Sequence, residues 1–193
     1  MRHALEWFVG ATVTLAGVAS YVVFAPADML FDAPRAAQAT GPDTRTERVA
    51  RAEIARVTEA YAPARDVTWE FTPLAEQEVW ALATDSSDHL IQIESGRMAY
   101  LGGETVDDAT IRYVVNHEMG HQVTYRIYGT GDWHALEVML EETFSGGPAT
   151  RDVNGWELSA DVIGAALSGK HGDFTDSQVA IGQAHLDMVS TLD

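Results

Sequence analysis

The chain has 193 residues, with 29 acidic side chains against 12 lysines and arginines, which gives a formal net charge of −17. This acidity excludes nucleic acids and anionic membrane surfaces as electrostatic partners, because their phosphates would be repelled. Cysteine is absent, so the chain has no disulfide framework and no thiol that could act as a nucleophile or a ligand. Without the N-terminal apolar segment about 150 residues remain, enough for one domain with a hydrophobic core.

The N-terminus is apolar and has a positive flank. Residues 7–25 contain no charged side chain, Arg2 precedes them and Asp28 follows them. Because a positive flank is retained in the cytoplasm, we predict that the chain after this segment is exported and extracytoplasmic. The run is nineteen residues long, close to the length that a helix needs to cross a bilayer.

Two interpretations of this segment stay open. Residues 1–27 form either a signal peptide or a single transmembrane anchor, and residues 28–42 form a linker in front of a domain at residues 43–193. The A-x-A sequences at residues 25–27 and 37–39 suit cleavage and a secreted protein. The length of the apolar run favours an uncleaved helix that attaches the domain to the membrane.

The domain begins with a segment that predicts an amphipathic helix, residues 43–62. Its apolar side chains Val49, Ile54, Val57 and Tyr61 recur near helical spacing among arginines and glutamates. We expect this helix to pack on the sheet that follows it. A detachable prosegment is the alternative.

Four short segments rich in Val, Ile, Trp and Thr predict strands. They are residues 66–71, 78–84, 89–94 and, after a turn at Ser95 and Gly96, residues 97–101. Apolar and polar side chains alternate in residues 90–94 and beside them. This alternation favours an antiparallel sheet with one covered face.

A long helix is predicted next. Thr105 is a candidate N-cap with Asp108 three residues later, and Gly129 is expected to end the helix near Tyr128. Gly120, in the middle of this helix, is unfavourable there by about 1 kcal/mol relative to Ala. Close packing of another element would explain this glycine, and an incidental glycine is the alternative.

The centre of this helix is His117-Glu118-Met119-Gly120-His121, an HExxH sequence typical of zinc hydrolases. Two imidazoles four residues apart lie on one helix face and can bind the same metal. Neutral imidazoles suit Zn²⁺, although other divalent metals could occupy the same ligands. Glu118 is then placed to take a proton from a metal-activated water.

A catalytic zinc site needs a third protein ligand. The best candidate is Glu157, since Glu157 and Asp161 lie four residues apart on one face of an apolar helix at residues 154–167, where unpaired carboxylates would be costly. Asp161 would accept a hydrogen bond from the far nitrogen of a zinc histidine. The rival ligand is Glu141, but it stands beside other glutamates on what resembles a solvated acidic face of the intervening helix, residues 133–144.

With these residues the chain resembles the gluzincin metallopeptidases, which carry HExxH on one helix and Glu-x-x-x-Asp on a later one. The resemblance implies that His117, His121 and Glu157 bind zinc, that Glu118 is the general base and that Asp161 orients a ligand. Its motifs cover two short helices. The size and element order are similar to small cores sometimes called minigluzincins.

The resemblance also implies a zincin-like α+β fold, in which a small antiparallel sheet packs against an active-site helix and a glutamate helix, after an N-terminal apolar helix. A final helix is predicted at residues 175–192. In zincins an edge strand before the active-site helix pairs with an extended peptide, a role that residues 89–94 or 98–101 could take.

Hydrolysis in such a site also needs a group that stabilises the oxyanion of the tetrahedral intermediate. We predict His171, in a glycine-rich turn after the glutamate helix, with His134, Tyr125 and Tyr128 as alternatives.

The sequence thus predicts a zinc metallopeptidase, an endopeptidase acting on peptide or protein substrates. The alternative is an exported or membrane-tethered binding or scaffold domain that keeps a metal site without catalysis. Glu118 favours the enzyme, because a structural zinc site needs no general base.

Overall fold

The computed structural model describes residues 20–22, 44–74, 79–84, 89–99, 103–129, 132–145 and 154–168, together with Asp187 and Val189. The elements in chain order are β1 (Ser20–Val22), α1 (Thr44–Ala60), a 3-10 turn (Ala62–Asp66), β2 (Thr68–Thr72), β3 (Ala81–Thr84), β4 (Leu90–Glu94), α2 (Asp108–Tyr128), α3 (Trp133–Ser145) and α4 (Gly155–Ser168). This part of the chain is an α+β fold of four helices and a small mixed sheet, as the predicted class requires.

The sheet has β4 in its centre. β4 pairs with β3 in antiparallel and with β2 in parallel orientation, and the short β1 is added to the other edge of β3. The prediction of an antiparallel sheet is therefore wrong for the pair β2 and β4. Alternation of side chains reveals a covered face but not the direction of the neighbouring strand. The connection between β2 and β3 carries β3 to the far side of β4 and leaves that choice to the tertiary fold.

This topology also corrects the prediction that residues 89–94 could pair with a peptide. Both edges of β4 are already bonded, since Ile91 is opposite Ala83 on one side and Trp69 on the other. Of the fourth strand predicted at residues 97–101, the described residues form only an isolated bridge between Ala99 and Thr105. Residues 100 and 101 lie outside the described part.

The N-terminal predictions fall mostly outside the described residues. Residues 20–22, within the segment predicted as an apolar helix, form the extended β1 instead. The rest of residues 1–27 and the linker at 28–42 are not described. Within the described ranges, no helix combines the length and the apolar character needed to span a membrane. Most of the final helix predicted at residues 175–192 is also outside, although Asp187 and Val189 are helical.

The predicted amphipathic helix is confirmed as α1. It buries Val49, Ala50 and Val57 in the hydrophobic core, which contains β-strand side chains such as Ile91 and the inner face of α2. On its other side, the guanidinium of Arg51 lies 4.2 Å from the centre of the Phe71 ring in β2.

α2 is the central element of the domain and is buried over most of its length. Its N-cap is Asp107 and not the predicted Thr105: a carboxylate oxygen of Asp107 accepts from the Thr110 amide at 2.7 Å. Both residue types can cap, and Thr105 is instead held in the bridge before the helix. The predicted end is confirmed, because Gly129 follows Tyr128 with a φ of +75° that favours glycine.

α2 and α4 cross at very close range. A Cβ atom on Gly120 of α2 would lie against the carbonyl oxygen of Ala160 and 2.8 Å from its Cα. A Cβ atom on Gly164 of α4 would lie 2.9 Å from the carbonyl oxygen of Asn116. The close packing suggested for Gly120 is thus present, and it brings the two helices that carry the candidate ligands into backbone contact.

Candidate metal centre

Three side chains from α2 and α4 converge between these helices. His117 and His121 lie on successive turns of α2, and Glu157 stands in the first turn of α4. The Glu157 Oε2 atom is 3.1 Å from His117 Nε2 and 3.7 Å from His121 Nε2. Among the described residues these three form a group that could hold a metal ion, with one ligand atom of each lying within 4.8 Å of the other two.

The geometry and the donor set suit a tetrahedral cation. Two atoms bound to zinc at about 2.1 Å in a tetrahedron are about 3.4 Å apart, close to both measured separations between Glu157 and the imidazoles. Both histidines are fully buried and the Glu157 side chain is 13% exposed. Two imidazoles with one carboxylate are a ligand set of catalytic zinc sites, in which water takes the fourth position.

Asp161 and Tyr113 hold the outer side of His117. Asp161 Oδ1 is 2.8 Å from His117 Nδ1 and accepts a hydrogen bond from the Tyr113 hydroxyl at 2.5 Å. The same hydroxyl lies 3.2 Å from His117 Nδ1. With Nδ1 engaged in this way, Nε2 is the nitrogen that faces Glu157 and is left for a metal.

The pKa values of the group reflect this mutual contact. Burial disfavours the charged form of His117, but hydrogen bonds to Asp161 and Glu157 outweigh burial and raise its pKa well above the usual value. Burial lowers the pKa of His121, and the neighbouring His117 adds to that effect. Burial would raise the pKa of Glu157, yet the charge of His121 and the hydrogen bond from His117 lower it to about 2.

These pKa directions describe a site that is built for a positive charge. In the metal-free protein the ionised Glu157 is compensated by a proton on His117. A divalent cation bound by Glu157 and the two imidazoles would replace that proton, because imidazole binds metal only in its neutral form.

Glu118 is fully buried on α2, directly after the first ligand. Its position in the sequence places it next to the convergence of His117, His121 and Glu157. It is not a member of the group of candidate ligands found in the described part of the chain, as expected for a residue with another role.

Glu141, the rival third ligand, is not in that group either. It is 3% exposed on α3, so its interpretation as part of a solvated acidic face is wrong. α4 begins against this part of α3: a Cβ atom on Gly155 would lie 2.7 Å from the Glu141 amide nitrogen. The burial of Glu141 therefore reflects the packing of α3 on α4.

The four candidates for oxyanion stabilisation have different positions. His171 lies outside the described residues. Tyr125 is buried one turn after His121, with its ring stacked at 6.3 Å from the His121 ring. Tyr128 is half-buried and its ring contacts that of Phe144. His134 is exposed on α3, so its position gives no support to a role in the site.

Sequence reasoning missed Tyr113 and Asn116. Tyr113 precedes His117 by four residues, so helical spacing alone places it on the same face, and that signal was available. Asn116 is 2% exposed and hydrogen-bonds the Glu53 carboxylate of α1 at 2.7 Å. No local pattern could indicate that contact, because the two residues are 63 positions apart.

Comparison of the chain with models of known protein families, with curated proteins and with solved structures gave no match.

Proposed function

We propose that this protein is a zinc-dependent metallopeptidase of gluzincin type with a zincin-like domain. One observation carries the proposal: His117, His121 and Glu157 bring their ligand atoms together at distances suited to one metal ion, and Glu118 follows the first ligand on the same helix. Neither a structural metal site nor a packed helix pair requires a buried carboxylate at this position of an HExxH sequence.

The bound zinc would supply Lewis-acid polarisation of the scissile carbonyl and a water with a pKa of about 7. Glu118 is proposed to take the proton of that water during attack on the carbonyl and to deliver it to the leaving amine. Its burial keeps bulk water away from the carboxylate and strengthens its interaction with the proton that it transfers.

Asp161 and Tyr113 are proposed to keep the ligands ready. Their hydrogen bonds fix the tautomer and ring orientation of His117 before any metal arrives. The cost of ordering the imidazole is therefore met by the fold and not by metal binding. Tyr125 remains a candidate for the oxyanion, next to His121.

We further propose that the substrate is a peptide or protein, and that the domain acts outside the cytoplasm after export through its N-terminal segment. The apolar run at residues 7–25 with its preceding Arg2 supports export. The acidity of the chain supports a preference for basic over acidic substrates.

The decisive experiment measures metal content and proteolysis on the same samples. Wild type is expected to hold one zinc per chain by elemental mass spectrometry and to cleave a mixture of fluorogenic peptides. Glu118→Gln is expected to keep the zinc and lose turnover, because the amide cannot accept the proton of water. Glu157→Ala is expected to lose most of the zinc.

Glu141→Ala is the matched control, since it also removes a glutamate from a helix packed on α4 but should keep the zinc. Zinc lost with Glu141 and retained without Glu157 would contradict the assigned ligand set. Full turnover by Glu118→Gln would contradict the mechanism. Zinc bound by wild type without cleavage of any peptide would favour the alternative, a non-catalytic binding or scaffold domain with a metal site.

A further inference from the structure

We propose that Glu53 and Arg56 of α1 are positioning residues for the metal centre, because they join the metal-binding helix α2 to the end of the glutamate helix α4. The inference rests on the metal site of the proposed function. It concerns residues that contact neither the metal ligands nor the substrate side of the site.

The guanidinium of Arg56 connects three elements. Its Nε and Nη2 atoms donate to Glu53 Oε1 at 2.9 and 2.6 Å within α1. Nη2 also donates to Asn116 Oδ1 in α2 at 3.1 Å and to the carbonyl oxygen of Leu167 in α4 at 3.0 Å. The planar fork of arginine can bind several acceptors at once, which a lysine ammonium cannot do with the same geometry.

Asn116 completes the network on the side of α2. Its amide nitrogen donates to Glu53 Oε1 at 2.7 Å and to the carbonyl oxygen of Arg112 at 2.7 Å. Its side-chain oxygen accepts from Arg56. Both hydrogen-bonding ends of the Asn116 amide are therefore used, and its rotation is fixed.

The network is buried deeply enough to matter. Glu53 is 7% exposed and Asn116 is 2% exposed. Burial opposes the charge on Glu53, but hydrogen bonds from Arg56 and Asn116 and the charges of Arg56 and Arg112 lower its pKa. A buried ion pair of this kind adds little net stability relative to apolar side chains, whereas removal of one partner is costly. Its more plausible benefit is a defined arrangement of the helices.

That arrangement bears directly on the ligands. Asn116 immediately precedes His117, and α4 touches the backbone at this point, since a Cβ atom on Gly164 would lie 3.1 Å from the His117 amide nitrogen. Leu167, the acceptor for Arg56, follows Gly164 by three residues on α4. Arg56 thus fixes the two ligand helices beside their crossing, and metal binding tolerates ligand displacements of only about 0.2 Å.

α1 is attached to α2 at a second place. Arg45 donates to Asp108 Oδ1 at 2.6 Å and to the carbonyl oxygen of Val106 at 2.9 Å, where α2 begins. Together with the apolar side chains that α1 buries in the core, these contacts favour an integral helix over the detachable prosegment considered from the sequence. The same helix that closes the core also sets the position of the metal helix.

The test compares Arg56→Ala with Arg48→Ala in the full chain, because Arg48 is an exposed arginine of the same helix. The measurements are Co²⁺ affinity by titration, the visible absorption of bound Co²⁺, which reports ligand geometry, and Zn²⁺ affinity by chelator competition. All are made well below the melting temperature. We expect Arg56→Ala to lose about tenfold in affinity, the lower end of the range for residues around a metal site, with an altered Co²⁺ spectrum. Arg48→Ala should match wild type.

Two milder variants keep the test valid if Arg56→Ala does not fold. Glu53→Gln keeps the shape of the network and removes its charge, and Arg56→Lys keeps the charge and removes the fork. Each should lose affinity in the same direction and by less than Arg56→Ala.

The possible failures are distinguishable. A wild-type protein that binds no Co²⁺ would overturn the proposed function and this inference together. Wild-type affinity and spectrum in all folded network variants, with only a lower melting temperature, would overturn the inference alone and leave the metal site standing.

Discussion

The substitution Gly120→Ala tests whether the closeness of α2 and α4 sets the metal site. A single methyl group at this position would lie against the backbone of Ala160, at 2.8 Å from its Cα. Ordinary contact for a Cβ begins at 3.4 Å, so the helices would have to separate by about 0.6 Å. The backbone of Ala160 cannot give way as the end of a flexible side chain could.

Two opposing effects decide the stability of this variant. Overpacking of a buried contact costs about 1–3 kcal/mol, while replacement of a glycine inside a helix by alanine contributes about 1 kcal/mol in favour of folding. The clash is with rigid backbone, so we take the upper end and expect a net destabilisation of about 2 kcal/mol. For a domain of this size that is a fall in melting temperature of roughly 5–8 °C.

The effect on metal binding should be larger than the loss of stability suggests. A separation of about 0.6 Å moves Glu157 away from His117 and His121 by more than the roughly 0.2 Å that a metal site tolerates. We expect zinc affinity to fall at least tenfold. Competition titration with a chromophoric chelator measures the affinity, and thermal unfolding of the chelator-treated protein measures the stability.

Ile93→Val is the control, because Ile93 is fully buried in β4 and its truncation costs about 0.5–1.5 kcal/mol without separating α2 from α4. It should lower the melting temperature and leave zinc affinity unchanged. Wild-type zinc affinity in Gly120→Ala, or a raised melting temperature, would refute the reasoning from helix contact.

Three further predictions concern the same helices. Tyr113→Phe removes the hydroxyl that donates to Asp161 and should lower zinc affinity about tenfold; an unchanged affinity in the chelator titration would show that Asp161 orients His117 unaided. Removal of metal should lower the melting temperature, because zinc at about 100 times its Kd adds about 2.7 kcal/mol to folding; calorimetry with and without chelator would contradict this if the two transitions coincided. The pKa of Glu53 is lowered from 4.5 in the folded protein, so its charge stabilises the fold above pH 4.5 and this contribution is lost as the pH falls through the folded value. The melting temperatures of metal-free wild type and Glu53→Gln should therefore differ most above about pH 5 and converge in acid, and a gap that stays constant with pH would argue against an ionised Glu53.

The helical part of the site could be predicted because its information is local. The four-residue spacing of His117 and His121 determines that they share a face, and the same spacing relates Glu157 to Asp161. An apolar helix with two carboxylates indicates in advance that these groups need a partner in the interior. The structure brings these residues together between α2 and α4.

The errors arose where two segments compete for the same role. Thr105 and Asp107 are both good N-caps, and only the bridge of Thr105 to Ala99 leaves Asp107 to cap α2. Glu141 resembled an exposed glutamate by its neighbours, but α4 packs over it. In each case the deciding contact comes from a residue that lies elsewhere in the chain.

By itself the sequence determined the helices, the facing histidines, the candidate third ligand Glu157 and the α+β class, because helical periodicity and the cost of burying charge act over a few residues. The tertiary structure decided the parallel pairing of β2 with β4, the contact of Gly120 with Ala160, and the link from Glu53 to Asn116 across 63 residues. Strand direction, helix separation and buried polar networks depend on which distant surfaces meet, and the free energy of that choice is spread over the whole core.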